Sequence, residues 1–351
     1  MFIKPKLISN LFLPSFYFFI FLFFALLPDN IKATATISDR EPNSKVYHNL
    51  KEISSTAQQV KVGFYTQNIY ELDPESNTYY MDFYVWFKWK GEIDPTEKLE
   101  FMNGVEDWGV TMANAYEEPK QLSDSSYYQL IRVEGRFREN FEFEQYPLDK
   151  QKLGVVIENS VHAIDELVYL ADTSSGFADD LSIPGWEFEK YDMSNLYHTY
   201  YTNFGDTDTK TSTYSALRFE LVVSRPVNYF FWKLLLPLII VLISSWGALL
   251  LDPIRVDSRI FLPITALLTA VFLQQSYSVG LPAVSYLVLI DKIYVLGYML
   301  IIADIMETIY TAGILQDGNH EAVNRIKKID RAFMIVKLCF VIIGFIFLMI
   351  L

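Results

Sequence analysis

The sequence predicts an all-β, immunoglobulin-like sandwich followed by an all-α bundle of four membrane-spanning helices, and three observations predict it. From about Lys45 to Val223 the chain runs in short alternating stretches, such as Tyr79 to Trp89 and Ser215 to Val223, the period-two signature of half-buried strands. After Arg225-Pro226 the texture changes to four long apolar segments, each close to the ~20 residues a helix needs to cross hydrocarbon. At 351 residues, with 51% apolar and 16% aromatic side chains, the chain exceeds one ordinary domain and is too apolar for disorder.

The elements follow in order. Lys4 and Lys6, an apolar run from about Leu11 to Leu27 and Ala33-Thr34-Ala35 read as an export signal over residues 1–35, cleaved after Ala35; an uncleaved first membrane helix is the alternative. Residues 36–225 form the exported sandwich. Its turns are marked at Asp73-Pro74-Glu75-Ser76-Asn77, Glu117-Glu118-Pro119, Tyr146-Pro147, Ile183-Pro184-Gly185 and Asn203-Phe204-Gly205-Asp206. Residues 226–351 hold spans at about 229–251, 258–279, 286–314 and 332–351. Arg255 and Arg259 at the first short loop, and Arg325, Lys327, Lys328 and Arg331 before the last span, place both loops inside. The sandwich and the C-terminus are then outside, periplasmic or extracellular.

Charge and chemistry narrow the function. The formal net charge of -13 argues against nucleic acid and favours cations near the surface. Cys339 is the single cysteine, which excludes an internal disulfide and a cysteine metal site. With four His, no His-x-x-His and no glycine-rich phosphate loop, no catalytic constellation is visible, so an enzyme is not expected. No cofactor or bound metal is expected, although the many carboxylates make divalent cations and protons expected modulators.

The junction Ser224-Arg225-Pro226-Val227-Asn228-Tyr229-Phe230-Phe231-Trp232, with Leu236-Pro237, Ser245-Trp246, Leu281-Pro282-Ala283-Val284-Ser285-Tyr286 and Ile290-Asp291-Lys292, resembles prokaryotic pentameric ligand-gated ion channels. Phe141 to Gln151 is similar to the signature loop of the Cys-loop receptor superfamily, without its two flanking cysteines. The resemblance implies a homopentamer in the bacterial plasma (inner) membrane, in contact with its lipids. It further implies a pore ringed by the second helices and opened by a small-molecule agonist bound to the sandwiches at subunit interfaces.

At the pore the residues carry their own argument. Steps of four and three residues from Asp257 give Asp257, Phe261, Thr265, Leu268, Phe272, Gln275 and Val279 on one helical face. In a fivefold ring Asp257 becomes a carboxylate mouth selecting monovalent cations, and Leu268 with Phe272 an apolar constriction. Asp257 also suits a helix N-cap. Arg259 points away from the stripe by phase, while Phe261 and Pro263 are departures from the family pattern at the inner end.

The residue types and the resemblance together place an amine or amphiphilic agonist among aromatic faces. The principal side would offer Trp108, Glu158, Asn159, Tyr197, Tyr200, Tyr201 and Phe204; the complementary side would offer Phe83, Tyr84 or Trp86, and Trp186. Strand alternation lets only one of the pairs Phe83/Val85 and Tyr84/Trp86 face the cleft. His162 and His198 are candidate proton sensors. Coupling is expected through Tyr146, Pro147 and Asp149, through Arg225 paired with Asp149 or Glu144, and through Leu281 and Pro282. Asp304 and Glu307 are expected to find partners in the bundle, Asp291 and Lys292 to pair with loop residues, and Lys233 and Lys337 to snorkel towards headgroups. Two other readings remain: a channel controlled by protons or divalent cations without an amine agonist, and a non-conducting membrane-anchored sensor.

Overall fold

The computed structural model describes residues 47–50, 54, 56–106, 109–202, 204–205, 212–278, 281–315 and 320–350. The export signal expected over 1–35, Trp108 and Val279 lie outside the described residues. The described chain divides into two compact units. One comprises residues within Ser38–Glu142 and Leu148–Pro226; the other comprises Phe143–Pro147 and the described residues within Val227–Leu351.

The first unit is a sandwich of two sheets. One sheet has the order β1 (His48–Asn49), β11 (Glu187–Tyr200), β12 (Ser212–Ser224), β8 (Lys150–Asn159), β4 (Leu99–Phe101). The other has the order β10 (Gly176–Phe177), β2 (Gln58–Asp73), β3 (Thr78–Trp89), β7 (Tyr127–Arg138), β5 (Thr111–Asn114), with β6 (Lys120–Gln121) on β7 and β9 (Leu167–Ala171) on β2. Alternation decides which side chains enter the core: along β3, Tyr79, Met81, Phe83, Val85 and Phe87 are fully buried. Phe64 of β2 stacks on Phe219 of β12 with ring centroids 5.1 Å apart, joining the two sheets. The buried Tyr79 hydroxyl accepts the Gly154 N–H at 2.7 Å and donates to the Gly154 carbonyl, a polar rivet across the same core. The β2–β3 hairpin turns where Asp73-Pro74 predicts it. Asp73 accepts the Glu75 N–H at 3.0 Å and the Ser76 hydroxyl at 2.6 Å, and Asn77 takes φ 59°. Within this otherwise antiparallel sheet, β9 and β10 run parallel to β2.

The second unit contains four helices among the described residues: α1 (Val227–Leu250), α2 (Val256–Ser278), α3 (Leu289–Leu315) and α4 (His320–Ile350). Pro237 has no N–H to offer the Lys233 carbonyl, and the turn before it widens, with the Leu236 N–H bonded to the Phe231 carbonyl five residues back. Length and composition qualify α1 and α2 to cross a membrane. By contrast α3 and α4, at 27 and 31 residues, carry Asp304, Glu307 and Lys337 within their apolar stretches.

Several expectations are corrected here. The third helix begins at Leu289, where the Asp291 carboxylate accepts the Val288 N–H at 3.2 Å and sets the first turn. Asp291 also accepts from Gln274 and Tyr277 of α2, so its partners lie on a helix and not only in a loop. The fourth helix begins at His320, and the basic cluster from Arg325 to Arg331 lies on its first turns instead of in a loop. Lys337 does not snorkel: it is 2% exposed, ion-paired with Asp304 and 5.1 Å from the Trp246 ring centroid.

Candidate functional site

On the outward face of the five-stranded sheet, alternation brings Glu158 of β8, His198 and Tyr200 of β11 and Tyr214 of β12 together; Glu158 stands opposite Ala216, and His198 opposite Tyr214. Glu158 is 3% exposed, accepts the Tyr200 hydroxyl at 3.1 Å and lies 3.6 Å from His198 Nδ1. The Tyr200 ring is 4.1 Å from His198, 5.3 Å from Phe204 and 5.7 Å from Tyr214, centroid to centroid. Burial, then the Glu158 charge, push the Tyr200 hydroxyl well above the ordinary tyrosine range, so it remains a neutral donor. A buried carboxylate walled by aromatic faces is chemically suited to a cationic group, each good ring contact contributing roughly 0.5–2 kcal/mol. Beside it lies a cleft of about 440 Å³ bordered by Tyr47, Met102, Arg138, Val156 and Arg218.

Of the anticipated agonist residues, Glu158, Tyr200 and Phe204 meet in this cluster. Tyr201 is 72% exposed at its rim. Tyr197 is displaced by alternation: it lies on the other face of β11, its ring 5.2 Å from His48. Asn159 turns from Glu158 to accept the Val161 and His162 N–H groups. Phe83 is corrected to a core residue, 0% exposed and packed on Phe64, Phe101 and Phe137. Tyr84 and Trp86 take the opposite, half-buried face of β3. Tyr84 lies under Arg132, and Trp86 donates to Asp172 at 3.0 Å over Gly63, where an added Cβ would meet its ring at 2.1 Å. Trp186 lies elsewhere on the sandwich. It precedes β11 at the end of that strand remote from Tyr200, with Arg225 4.2 Å over its ring. Sequence reasoning missed Tyr214, whose signal was its phase with Ala216, and Tyr47, which had none. His162 is a surface group paired with Glu166 at 2.9 Å.

On α2 the six described stripe residues, Asp257, Phe261, Thr265, Leu268, Phe272 and Gln275, are all exposed. At 100° per residue they fall within an arc of about 80°. Arg259, Pro263, Ala266, Ala270 and Tyr277 are buried on the opposite side. Arg259 is 1% exposed and binds Asp330 at 2.9 Å and Glu307 at 3.5 Å, so its charge faces the bundle. The Thr265 hydroxyl donates to the Phe261 carbonyl at 2.9 Å, which leaves its oxygen lone pairs outward.

At the sandwich's Pro226 end, Arg225 Nε binds Asp149 Oδ1 at 2.8 Å, and Gln151 binds the other Asp149 oxygen at 2.7 Å and the Glu142 backbone. Of the two partners expected for Arg225, Asp149 is an ion-pair partner. In the helical unit Glu144 and Tyr146 give their carbonyls to the Leu289 and Ile290 N–H groups at 3.0 and 3.2 Å, and the Phe143 N–H donates to the Tyr286 hydroxyl at 3.2 Å. The segment containing Tyr146 and Pro147 thus supplies acceptors for the orphan donors of α3, beyond Leu281 and Pro282, which are half-buried.

No family model matches the chain. It is 25% identical over 169 residues to a gamma-aminobutyric acid receptor subunit beta of Lymnaea stagnalis (47% of this chain, 32% of the relative). It is 28% identical over 184 residues to a glutamate-gated chloride channel of Drosophila melanogaster (52% and 38%). It is 29% identical over 153 residues to a glutamate-gated chloride channel subunit beta of Haemonchus contortus (43% and 34%). The matches span about a third of each relative's length. The sandwich-then-helices order and these homologues agree: the chain is similar to subunits of ligand-gated receptors and channels, which are not enzymes.

Proposed function

We propose that the chain is the subunit of a homopentameric ligand-gated ion channel of a bacterial inner membrane, cation-selective, with the sandwich outside. The observation that carries this reading is α2, which buries one face on its neighbours and leaves exposed a continuous face running from a carboxylate through Thr265 and Leu268 to Gln275. An amine or amphiphilic agonist binds at Glu158, Tyr200 and Phe204, with Tyr84 and Trp86 supplied by the adjoining subunit. Agonist preference for the open arrangement shifts the population of pore helices through Asp149–Arg225 and the Phe143–Pro147 segment. Cation selectivity rests on Asp257, exposed while Arg259 is internally neutralised.

A second reading, chloride selectivity, is favoured by the names of the relatives, two of which are chloride channels. Voltage-clamp recording of reconstituted protein in asymmetric NaCl, with amine and pH screens, separates the two. A reversal potential following sodium, shifted by Asp257→Asn, is the expected result. One following chloride makes the second reading correct, and no current under any condition defeats both.

A further inference from the structure

We infer that the chain carries its own occupant for the aromatic site, Tyr47, and that an amine ligand must displace it; this rests on the Glu158 cluster being the ligand site. The short strand β1 adds to the free edge of β11, with His48 opposite Tyr197 and Asn49 opposite Leu196, and the Leu50 N–H donates to the Asn195 carbonyl at 3.0 Å. Such edge addition is the usual way an extended segment docks on a sheet. Its register delivers the preceding residue, Tyr47, over the site: the ring centroid is 5.0 Å from that of His198, and the ring packs on Val156, Leu196 and Ala216. Burial, then the Glu158 charge, keep its hydroxyl neutral, so the side chain turns a donor and an aromatic face towards groups suited to an ammonium.

Among the described residues the attachment is a two-residue strand and one flanking hydrogen bond, an edge contact whose release leaves the pairing of β11 with β12 in place. Tyr47 also borders the cleft of about 440 Å³, which gives the ring room to move. As a tethered competitor, it lowers apparent ligand affinity in proportion to the fraction of sites it fills.

The test uses the full chain in detergent and choline as the amine probe, with binding read by titration calorimetry. Tyr47→Ala is expected to tighten choline binding about tenfold or more. His48→Cys with Tyr197→Cys, in a Cys339→Ser background, pairs two directly opposed residues whose Cα spacing suits a disulfide. Oxidation is expected to form the bond and weaken choline binding about tenfold, and reduction to restore it. Failure of the pair to cross-link overturns the inference. If Glu158→Gln abolishes binding while Tyr47→Ala and the lock leave it unchanged, the inference alone falls. If choline binds neither the wild type nor Tyr47→Ala, the site reading falls and takes the inference with it.

Discussion

The two units differ in the large side chains they leave exposed and in the charges they enclose. The sandwich buries aromatic residues such as Phe64, Phe83, Phe137 and Phe219, and ion pairs such as Lys88–Asp124 and Lys150–Glu189 lie at its surface. The helical unit leaves Phe261, Leu268, Phe272 and Ile335 exposed, and sequesters Arg259, Asp304, Glu307, Asp330 and Lys337. Polarity is a property of a residue, whereas inside and outside depend on the surroundings. A bundle whose outer faces meet lipid gains little by burying leucine and must pair its charges internally.

The strongest way to break this contrast is to delete the same side chain from both units. Phe64→Ala should cost about 3–5 kcal/mol, and Phe261→Ala within about 0.5 kcal/mol, measured by unfolding the full chain in detergent. Equal losses would mean that the exposed face of α2 is packed. Arg259→Ala, which strands two buried carboxylates, should cost about 3–5 kcal/mol, while Asp257→Ala on the exposed face leaves stability unchanged; similar values would refute the internal charge pairing.

Tyr79→Phe sharpens the picture of the sandwich. It removes the acceptor of the Gly154 N–H and leaves the Gly154 carbonyl to Asn103, at about 1–3 kcal/mol, and a neutral result would show that the rivet holds nothing. The smallest effect is at the β2–β3 turn. The Ser76 hydroxyl, against a smaller burial effect, holds the Asp73 carboxyl below its ordinary value. A depressed folded pKa contributes stability above the unfolded value near about 4, lost as pH falls through the folded value. Asp73→Asn should therefore show a shallower loss of stability below about pH 4 than the wild type, and parallel acid curves would remove the turn from the account.

Legibility followed the range of the forces. Tyr79 to Trp89 and Ser215 to Val223 announced β3 and β12 because alternation is local, and the α2 stripe was readable because helical phase needs only the sequence. The choice between Phe83 and Trp86 was not readable: both alternating faces of β3 are aromatic, and only the second sheet decides which is covered. Tyr47 was invisible for another reason, since a two-residue strand has no period and its place comes from the edge it joins. The start of α4 was misjudged because charged residues from Arg325 to Arg331 read as a loop, although they suit the exposed side of a helix.

The sequence by itself determined the order of sandwich and helices, the phase of α2 from Asp257 to Gln275 and that Cys339 has no cysteine partner within the sequence. These depend on periodicity and on which side chains exist. The tertiary structure decided that Asp149 holds Arg225, that Arg259 faces Asp330, and that Glu158, His198, Tyr200 and Tyr47 share one site. Each of these joins residues from different elements, and a distance between elements is set by packing rather than by any local pattern in the chain.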